Sequence, residues 1–351
     1  MKLQGLGDQF DSLQPVAVGG MAEIFKARQI NLDRPVAIKR IRPELRANGD
    51  IQKRFSREAK TAAAFSHHNI ANVYDYVQVE NEFFIIMEWI EGFDLAEIVE
   101  KTGSKIPIDV GLAIAVKILE GLSHIHSHGM IHRDLKPDNV RITPRGEVKI
   151  MDFGIALDPT ASALTRPGTL IGSPHYLAPE QIVGDKADFR ADIFSFGITL
   201  YEILTGKRPF FETQSESVYA RIRKGEYIEP EKIREDIPGI LSKVVADCLQ
   251  VKASKRPASV DTITPTLVHY LLTHFSVDYD VRIKKFLGDF GFLTGQARTL
   301  TQSIAEKTLP PAGSSLREKL GDLFSSKFFL LFLSLVLGAG IVFALIRSEV
   351  F

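Results

Sequence analysis

The hydrophobic positions of this chain change their spacing along its length, and each spacing predicts a different element. Residues 83–87 form a continuous apolar run of strand length, and residues 36–39 form a shorter run that ends in a lysine. Residues 148–151 alternate apolar and polar side chains behind Gly146, which predicts a strand after a turn. Residues 191–204 are apolar over a longer stretch, which predicts a buried helix.

A helix is predicted to begin at the turn formed by residues 48–50, with Phe55 and Ala62 in its apolar stripe. Glu58 lies in the same inward-facing stripe, where a carboxylate without a partner is costly. The helix therefore needs a buried cation beside Glu58, and Lys39 is the candidate. A solvated glutamate at the edge of the stripe is the alternative.

The most apolar stretch lies near the end of the sequence, where residues 328–346 carry no charge. As a helix this stretch would be about 30 Å long, which matches the hydrocarbon core of a bilayer. We expect a transmembrane helix rather than a core helix, because only residues 347–351 follow it. Residues 1–14 lack the apolar segment of a signal peptide. Basic residues flank the N-terminal side of the helix more heavily, which predicts that this side is cytoplasmic.

Residues 276–327, which precede the apolar stretch, have the pattern of a connector. A breaker cluster at residues 309–313 is followed by a capping box formed by Ser315 and Glu318. Apolar residues then recur at helical spacing as far as Phe324. We expect an amphipathic helix that continues into the membrane helix. An interfacial helix and a surface for self-association are the alternatives.

Composition narrows the class of protein. The 351 residues include 43 basic and 43 acidic side chains, so the net charge is zero and an overall basic field for nucleic acid is excluded. An apolar fraction of 45% excludes a disordered chain. Cys248 is the only cysteine, which excludes an intrachain disulfide and a thiolate-cluster metal site. Its apolar helical neighbours indicate a buried thiol.

An ordered series of short motifs follows the predicted Lys39–Glu58 pair. Residues 130–139 place a carboxylate, an ammonium group and an amide within six positions. The strand at residues 148–151 leads into Asp-Phe-Gly at residues 152–154. A Gly-Ser-Pro segment then precedes Ala-Pro-Glu at residues 178–180. Each motif alone is weak, but their order and separations make a chance occurrence negligible.

With these motifs, residues 13–272 resemble a protein kinase domain, close to the bacterial eukaryotic-like serine/threonine protein kinases. The resemblance implies an α+β, bilobal protein kinase fold, with a small β-rich N-lobe, a large helical C-lobe and ATP between them. To this fold the sequence adds one C-terminal transmembrane helix. The predicted organisation is an N-terminal segment (1–12), a kinase domain (13–275), a juxtamembrane connector (276–327), the transmembrane helix (328–346) and a short tail (347–351).

The resemblance assigns the catalytic roles. Phosphoryl transfer spreads charge over the phosphate oxygens, so positioning and charge neutralisation dominate catalysis. Asp134 would accept or orient the substrate hydroxyl, and Lys136 would reach the γ-phosphate of ATP. A lysine at this position is typical of serine/threonine rather than tyrosine specificity in the family. Asn139 and Asp152 are hard oxygen ligands suited to Mg²⁺.

The resemblance also implies an ATP site. Lys39, held by Glu58, would bind the α- and β-phosphates. The backbone of Glu88 and Ile90 would bind adenine, and Asp94 matches a position that often contacts the ribose.

The glycine-rich loop departs from the family pattern G-x-G-x-x-G-x-V. Its nine residues are Val16, Ala17, Val18, Gly19, Gly20, Met21, Ala22, Glu23 and Ile24. Only the middle glycine, Gly19, is kept, and alanines replace the other two. Where φ is positive, alanine costs about 1 kcal/mol against glycine, so we expect weakened nucleotide binding.

Supporting and regulatory residues follow from the same resemblance. Asp192 would brace the catalytic loop from below, and Glu180 would form an ion pair with Arg256.

Arg133 precedes the catalytic aspartate and would receive an activation-loop phosphate. We predict autophosphorylation at Thr165, Thr169 or both, which would order the loop through this arginine. Loop hydroxyls without a regulatory role are the alternative.

Three further interpretations compete with the kinase. A pseudokinase scaffold would explain the missing glycines, but it has no chemical need for the complete catalytic set. A small-molecule kinase does not account for residues 172–180, which shape a polypeptide groove in the family. A transition-metal site could be built from His124, His126, His128 and His132, but these residues lie at a helix end and in the catalytic loop.

The expected partners are protein substrates with serine or threonine hydroxyls and the inner membrane, with the kinase domain in the cytoplasm, where ATP is available. Nucleic acid is not an expected partner. Anchoring raises local concentration, which favours trans-autophosphorylation within a homodimer.

Overall fold

The computed structural model describes residues 6–152, 174–275 and 278–293. The predicted phosphorylation sites Thr165 and Thr169 lie outside the described residues, as does the predicted membrane helix at 328–346. Within the described ranges, no helix combines the length and the apolar character needed to cross a membrane.

A five-stranded antiparallel sheet forms the N-lobe, in the order β1-β2-β3-β5-β4. One helix, α1 (Gly49–Ala62), follows β3, and the side chain of Asn48 caps it by accepting from two backbone N–H groups. The strands are β1 (Phe10–Val18), β2 (Ala22–Gln29), β3 (Arg34–Ile41), β4 (Val73–Val79) and β5 (Glu82–Glu88).

The sheet is covered on both faces, which explains the continuous apolar run of β5. Phe84 and Ile86 belong to one buried cluster, whereas Phe83 and Ile85 belong to a second cluster on the other face, together with Phe55 of α1. Successive side chains of a strand point to opposite faces, so a strand buried on both sides contains no alternation. Packing against this second face fixes α1 and with it Glu58.

The C-lobe contains a three-stranded antiparallel sheet and nine further helices among the described residues. Its strands are β6 (Phe93–Asp94), β7 (Val140–Ile142) and β8 (Val148–Ile150). Its helices are α2 (Leu95–Thr102), α3 (Ile108–Ser127), α4 (Pro179–Val183), α5 (Arg190–Thr205), α6 (Val218–Lys224), α7 (Pro230–Ile233), α8 (Gly239–Cys248), α9 (Thr264–His274) and α10 (Tyr279–Asp289).

Helix α5 runs through the C-lobe core, as its apolar sequence predicts, and every residue from Ala191 to Thr205 is buried. Gly197 lets it approach α8, because a Cβ at this position would lie 2.7 Å from the Cβ of Cys248. Cys248 is fully buried, and burial raises the pKa of its thiol, as expected of a packing residue rather than a nucleophile.

Helix α10 is a feature that the sequence did not predict. It begins within the range assigned to the connector, yet Ile283, Phe286 and Leu287 are buried in the main core of the C-lobe. The folded part of the chain therefore extends beyond residue 275, at least to Phe292.

Candidate active site

Lys39 of β3 joins two carboxylates from distant parts of the chain. Its ammonium group donates to Glu58 Oε1 of α1 at 2.5 Å and to Asp152 Oδ1 at 2.9 Å. The first contact is the one that the helical spacing of Glu58 predicts. Asp152 follows β8 and has a positive φ of 47°, a conformation that is unfavourable for a residue with a Cβ and turns its carboxylate toward Lys39.

The charges of Lys39 and Asp152 stabilise each other, whereas burial raises the pKa of Glu58 despite the positive charge of Lys39. Burial alone would lower the pKa of Lys39, but the negative charges of Asp152 and Glu58 outweigh it and raise this pKa above its ordinary value. The ammonium group of Lys39 in turn lowers the pKa of Asp152, against the effect of burial. Lys39 is therefore cationic and Asp152 anionic at neutral pH.

The catalytic-loop motif folds into a compact hydrogen-bonded unit. The Asp134 carboxylate accepts from Lys136 Nζ at 2.7 Å and from Asn139 Nδ2 at 2.9 Å. Asn139 Nδ2 also donates to the backbone oxygen of Asp134 at 2.8 Å. These contacts hold the Asp134 carboxylate in one orientation.

Asp192, fully buried at the start of α5, supports this loop from below. Its two carboxylate oxygens accept from the backbone N–H groups of His132 and Arg133, each at 2.8 Å. Arg133 has a positive φ of 68°, which the hydrogen bond to Asp192 helps to maintain. His126 Nε2 lies 2.8 Å from the same carboxylate.

The segment between the lobes is held by Arg141, a buried arginine of β7. Its guanidinium group donates to the carbonyl oxygens of Ile90 and Gly92, at 2.8 and 2.7 Å. It also donates to the carboxylate of Asp94 at 2.7 Å. Burial raises the pKa of Asp94, although the positive charge of Arg141 opposes this effect. Before this segment, the Glu88 carboxylate lies 2.9 Å from Lys149 Nζ.

The β1–β2 connection does not show the strain that its alanines predicted. Neither Ala17 nor Ala22 has a positive φ, so the expected cost of replacing glycine does not arise. Ala17 pairs with Ile24 across the two strands, and the carbonyl of Ala22 accepts from Gly19 N at 2.8 Å. The pairing is irregular between Pro15 and Ala17, yet alanine is accommodated at both positions without a positive φ.

Glu180 and Arg256 form the ion pair that the resemblance implied. Two guanidinium nitrogens of Arg256 donate to the two carboxylate oxygens of Glu180, at 2.7 and 2.8 Å. The Arg256 side chain is fully buried, and it also donates to the carbonyl oxygens of Arg190, Gln250 and Val251. It fixes the segment that precedes α5.

The histidines take packing roles. His124 and His128 lie against each other and against Phe65, with ring centroids 4.6 to 5.9 Å apart. His132 is buried, and its Nε2 donates to the carbonyl of Met151 at 3.1 Å. In the part of the chain that the structure describes, no group of three or more His, Cys, Asp or Glu side chains could hold a metal ion.

Comparison with known proteins agrees with this geometry. A family model described as the protein kinase domain matches residues 10–269, which is more than half of the chain. The chain belongs to the protein kinase domain family.

Curated bacterial kinases are similar to this kinase domain. A probable serine/threonine-protein kinase of Clostridium perfringens is 36% identical over 245 residues, covering 70% of this chain and 36% of that protein. Serine/threonine-protein kinase PknB of Mycolicibacterium smegmatis is 36% identical over 260 residues, covering 72% and 41%. Tyrosine-protein kinase MasK of Myxococcus xanthus is 32% identical over 318 residues, covering 86% and 49%. The chain thus spans less than half the length of each of these relatives.

The kinase domain has side chains that fit Mg²⁺. Asn139 uses its amide nitrogen on Asp134, so its amide oxygen is directed elsewhere, and Asp152 engages Lys39 through only one of its two oxygens. An amide oxygen and an ionised carboxylate are hard ligands of the kind that Mg²⁺ prefers. Because Mg²⁺ keeps several waters and binds substrate phosphates, two protein ligands suffice.

Sequence reasoning missed two contacts in this kinase. It paired Lys39 with Glu58 alone, although Asp152 lies almost as close. It also passed over Arg141, whose signal is a charged residue between the apolar neighbours Val140 and Ile142 in a short strand. A charge in a buried strand needs partners, and that requirement could have identified it.

Proposed function

We propose that this protein is a serine/threonine protein kinase that transfers the γ-phosphate of ATP to serine and threonine hydroxyls of proteins. The observation that carries the proposal is the joint placement of Lys39 between Glu58 and Asp152 and of Asp134 between Lys136 and Asn139. A chain selected only as a scaffold has no chemical reason to keep these six charged or amide side chains in two hydrogen-bonded groups.

Different residues of the chain would bind the phosphates, the adenine and the ribose of ATP. Lys39 carries the positive charge that would bind the α- and β-phosphates, and its two carboxylate neighbours hold it in place. The backbone from Glu88 to Ile90 would meet adenine, and Asp94, oriented by Arg141, would accept from the ribose. Mg²⁺ held by Asn139 and Asp152 would supply the neutralisation of phosphate charge.

Asp134 would take the proton of the substrate hydroxyl as that oxygen attacks the γ-phosphorus, while the bond from this phosphorus to the bridging oxygen breaks and ADP leaves. The carboxylate is already oriented by Asn139, so little reorganisation accompanies the transfer. Lys136 keeps its contact with Asp134 and presents its ammonium charge to the transferred phosphoryl group.

Serine/threonine specificity is supported by Lys136 and by the names of most of the similar kinases. The similarity to MasK, named as a tyrosine kinase, makes tyrosine the competing acceptor. Phosphoamino-acid analysis of labelled substrate distinguishes the two.

The catalytic test is transfer of radiolabelled phosphate from Mg²⁺-ATP by the full chain to itself and to a generic basic protein. We expect Asp134→Asn to lower the rate on the order of 100-fold or more, the range of general base catalysis. Asp247→Asn is a matched control, because Asp247 is a half-exposed aspartate of α8 that pairs with Lys243 on the surface. Equal background labelling by the wild type and Asp134→Asn would mean a pseudokinase. Label that appears on phosphotyrosine alone would reassign the acceptor.

We further propose that residues 328–346 anchor the kinase in the inner membrane by a single helix, with the kinase domain in the cytoplasm. The uncharged stretch between Lys327 and Arg347 supports this proposal. The full chain should remain with membranes through alkaline carbonate washing, whereas a chain without residues 314–351 should be released. Recovery of the full chain in the soluble fraction would contradict the anchor.

We also propose autophosphorylation at Thr165, Thr169 or both, in trans within a homodimer. It is supported by the position of Arg133 beside Asp134 and by the anchor, which would concentrate copies on the membrane. Mass spectrometry should find phosphate on at least one of these threonines in the wild type and on neither in Asp134→Asn. A fully active preparation with unmodified threonines would rule out the switch.

A further inference from the structure

Helix α10 lies beyond residues 10–269, the part that matches the family model, and it is firmly attached to the C-lobe. Besides its buried apolar side chains, Arg282 forms an ion pair with Asp109, whose side chain is only 3% exposed. Lys117 of α3 lies 2.8 Å from the carboxylate of Asp280. The helix is therefore fixed at its N-terminal end by two ion pairs.

The end of α10 is shaped to direct Phe292 inward. Gly291 has a positive φ of 70°. The N–H of Phe292 donates to the carbonyl oxygen of Leu287 at 2.8 Å, and the N–H of Gly291 donates to the carbonyl oxygen of Gly288 at 3.0 Å. These two bonds define a Schellman motif, in which the residue after the left-handed glycine turns back toward the last helical turn. Phe292 and Leu287 both enter the main core.

Phe292 packs against the strand that follows the segment between the lobes. Its ring meets that of Phe93 in an edge-to-face arrangement, with centroids 5.1 Å apart. Lys101 Nζ lies 3.9 Å from the centroid of the Phe292 ring. Phe292 itself is only 4% exposed.

Phe93 lies between the two residues that Arg141 holds. Gly92 offers its carbonyl to Arg141, and Asp94 offers its carboxylate. Phe93 is itself half-buried, and its backbone pairs with Ile142. Arg141 thus restrains this segment through polar contacts, and Phe292 restrains it through its neighbouring aromatic ring.

We propose that Phe292 is a positioning residue for the nucleotide, acting through Phe93 on the backbone at Ile90 and Gly92 and on the carboxylate of Asp94. The proposal rests on the proposed function, because it assumes that adenine and ribose bind at these residues. In this arrangement a helix outside the matched kinase domain determines how well ATP binds. The ring contacts of Phe292 are with Phe93 and Lys101, so we expect it to act on nucleotide affinity and not on the chemical step.

The test measures, on the full chain, the Kd of a fluorescent N-methylanthraniloyl-ATP and the steady-state KM and kcat for ATP. In Phe292→Ala we expect Kd and KM to rise together by about three- to ten-fold, the range of an aromatic pair, with kcat within about two-fold. Phe292→Tyr keeps the ring and should restore values close to the wild type. Val281→Ala is the control, because Val281 lies on α10, the helix that precedes Phe292, and is 59% exposed.

A second variant keeps the test decisive if Phe292→Ala does not fold. Phe292→Leu retains most of the buried volume but loses the ring, and it should raise KM in the same direction. A folded Phe292 variant with unchanged Kd and KM would overturn the proposal, as would a loss confined to kcat. If the wild type transfers no phosphate, the proposed function fails, but the Kd for the nucleotide still decides the role of Phe292.

Discussion

Lys39 and Asp152 are 113 positions apart in the sequence, and the ammonium group of Lys39 donates a 2.9 Å hydrogen bond to the Asp152 carboxylate. One residue belongs to the N-lobe sheet and the other follows the last strand of the C-lobe sheet. With Glu58 as the third member, this contact joins three separate segments at one cation. The side chains that we propose for phosphate and Mg²⁺ binding, Lys39 and Asp152, are therefore in direct contact.

Replacing Lys39 by methionine should remove phosphate transfer while leaving two facing carboxylates. Without the shared cation, Glu58 and Asp152 repel each other, and the α- and β-phosphates lose their cationic ligand. We expect kcat/KM for ATP to fall on the order of 100-fold or more, the cost of removing one preorganised electrostatic contact. Steady-state kinetics check this result, with Lys243→Met on the surface of α8 as the control. A variant with near-normal kcat/KM would show that Lys39 does not bind phosphate.

Asp192→Asn should disturb the catalytic loop more than it disturbs ATP binding. An asparagine offers only one acceptor oxygen where Asp192 satisfies the N–H groups of both His132 and Arg133. We expect a loss of about 1–3 kcal/mol in the free energy of unfolding and a lower kcat, with KM for ATP nearly unchanged. Denaturant titration and kinetics measure the two effects. Asp188→Asn, a nearby half-exposed aspartate, should change neither quantity.

Glu180→Gln should be strongly destabilising, because it leaves the fully buried guanidinium group of Arg256 without a counter-charge. Breaking a buried ion pair from one side costs about 3–5 kcal/mol in the free energy of unfolding. Denaturant unfolding checks this value, and Glu229→Gln in an exposed pair with Lys232 should cost less than about 1 kcal/mol. A double variant, Glu180→Gln with Arg256→Met, should recover part of the loss. A single variant as stable as the control would contradict the proposed structural role.

Glu202 should make the stability of the domain depend on pH. Burial raises the pKa of Glu202 from its ordinary 4.5 to about 7, against the hydrogen bond from Tyr176 and the charge of Arg208. Between these two pH values the folded state retains a proton that the unfolded chain has lost, so stability falls as the pH rises. The free energy of unfolding should fall by about 3 kcal/mol across this pH range. The decrease begins near pH 4.5 and is complete above pH 7.

The variant Glu202→Gln isolates this effect because glutamine stays neutral. Its free energy of unfolding, relative to the wild type, should therefore increase by up to about 3 kcal/mol between pH 4.5 and pH 7.5. Denaturant titrations at several pH values measure the difference, in which the titration of other groups cancels. The exposed Glu226→Gln should give a curve parallel to the wild type. Parallel curves for Glu202→Gln as well would mean that the carboxyl group is ionised in the folded protein throughout this range.

The sequence by itself determined the elements that depend on neighbouring residues, and the contacts that the chemistry of a buried charge requires. The apolar run of β5, the capped start of α1 and the buried α5 follow from periodicity and from capping, which act within a few residues. The Lys39–Glu58 pair was predictable as well, because a carboxylate in an apolar stripe requires a cation. The motif order then indicated the family and its candidate site.

Only the tertiary structure decided which residues from distant parts of the sequence come into contact. Asp152 meets Lys39 because β8 and β3 are brought together by the packing of both lobes, and no local pattern encodes that distance. The absence of strain at Ala17 depends on the φ of a hairpin that closes through long-range strand pairing. The attachment of α10 depends on apolar side chains from other parts of the C-lobe, which the sequence of α10 itself does not reveal. A segment predicted to be a connector is therefore part of the folded domain, and Phe292 packs against Phe93.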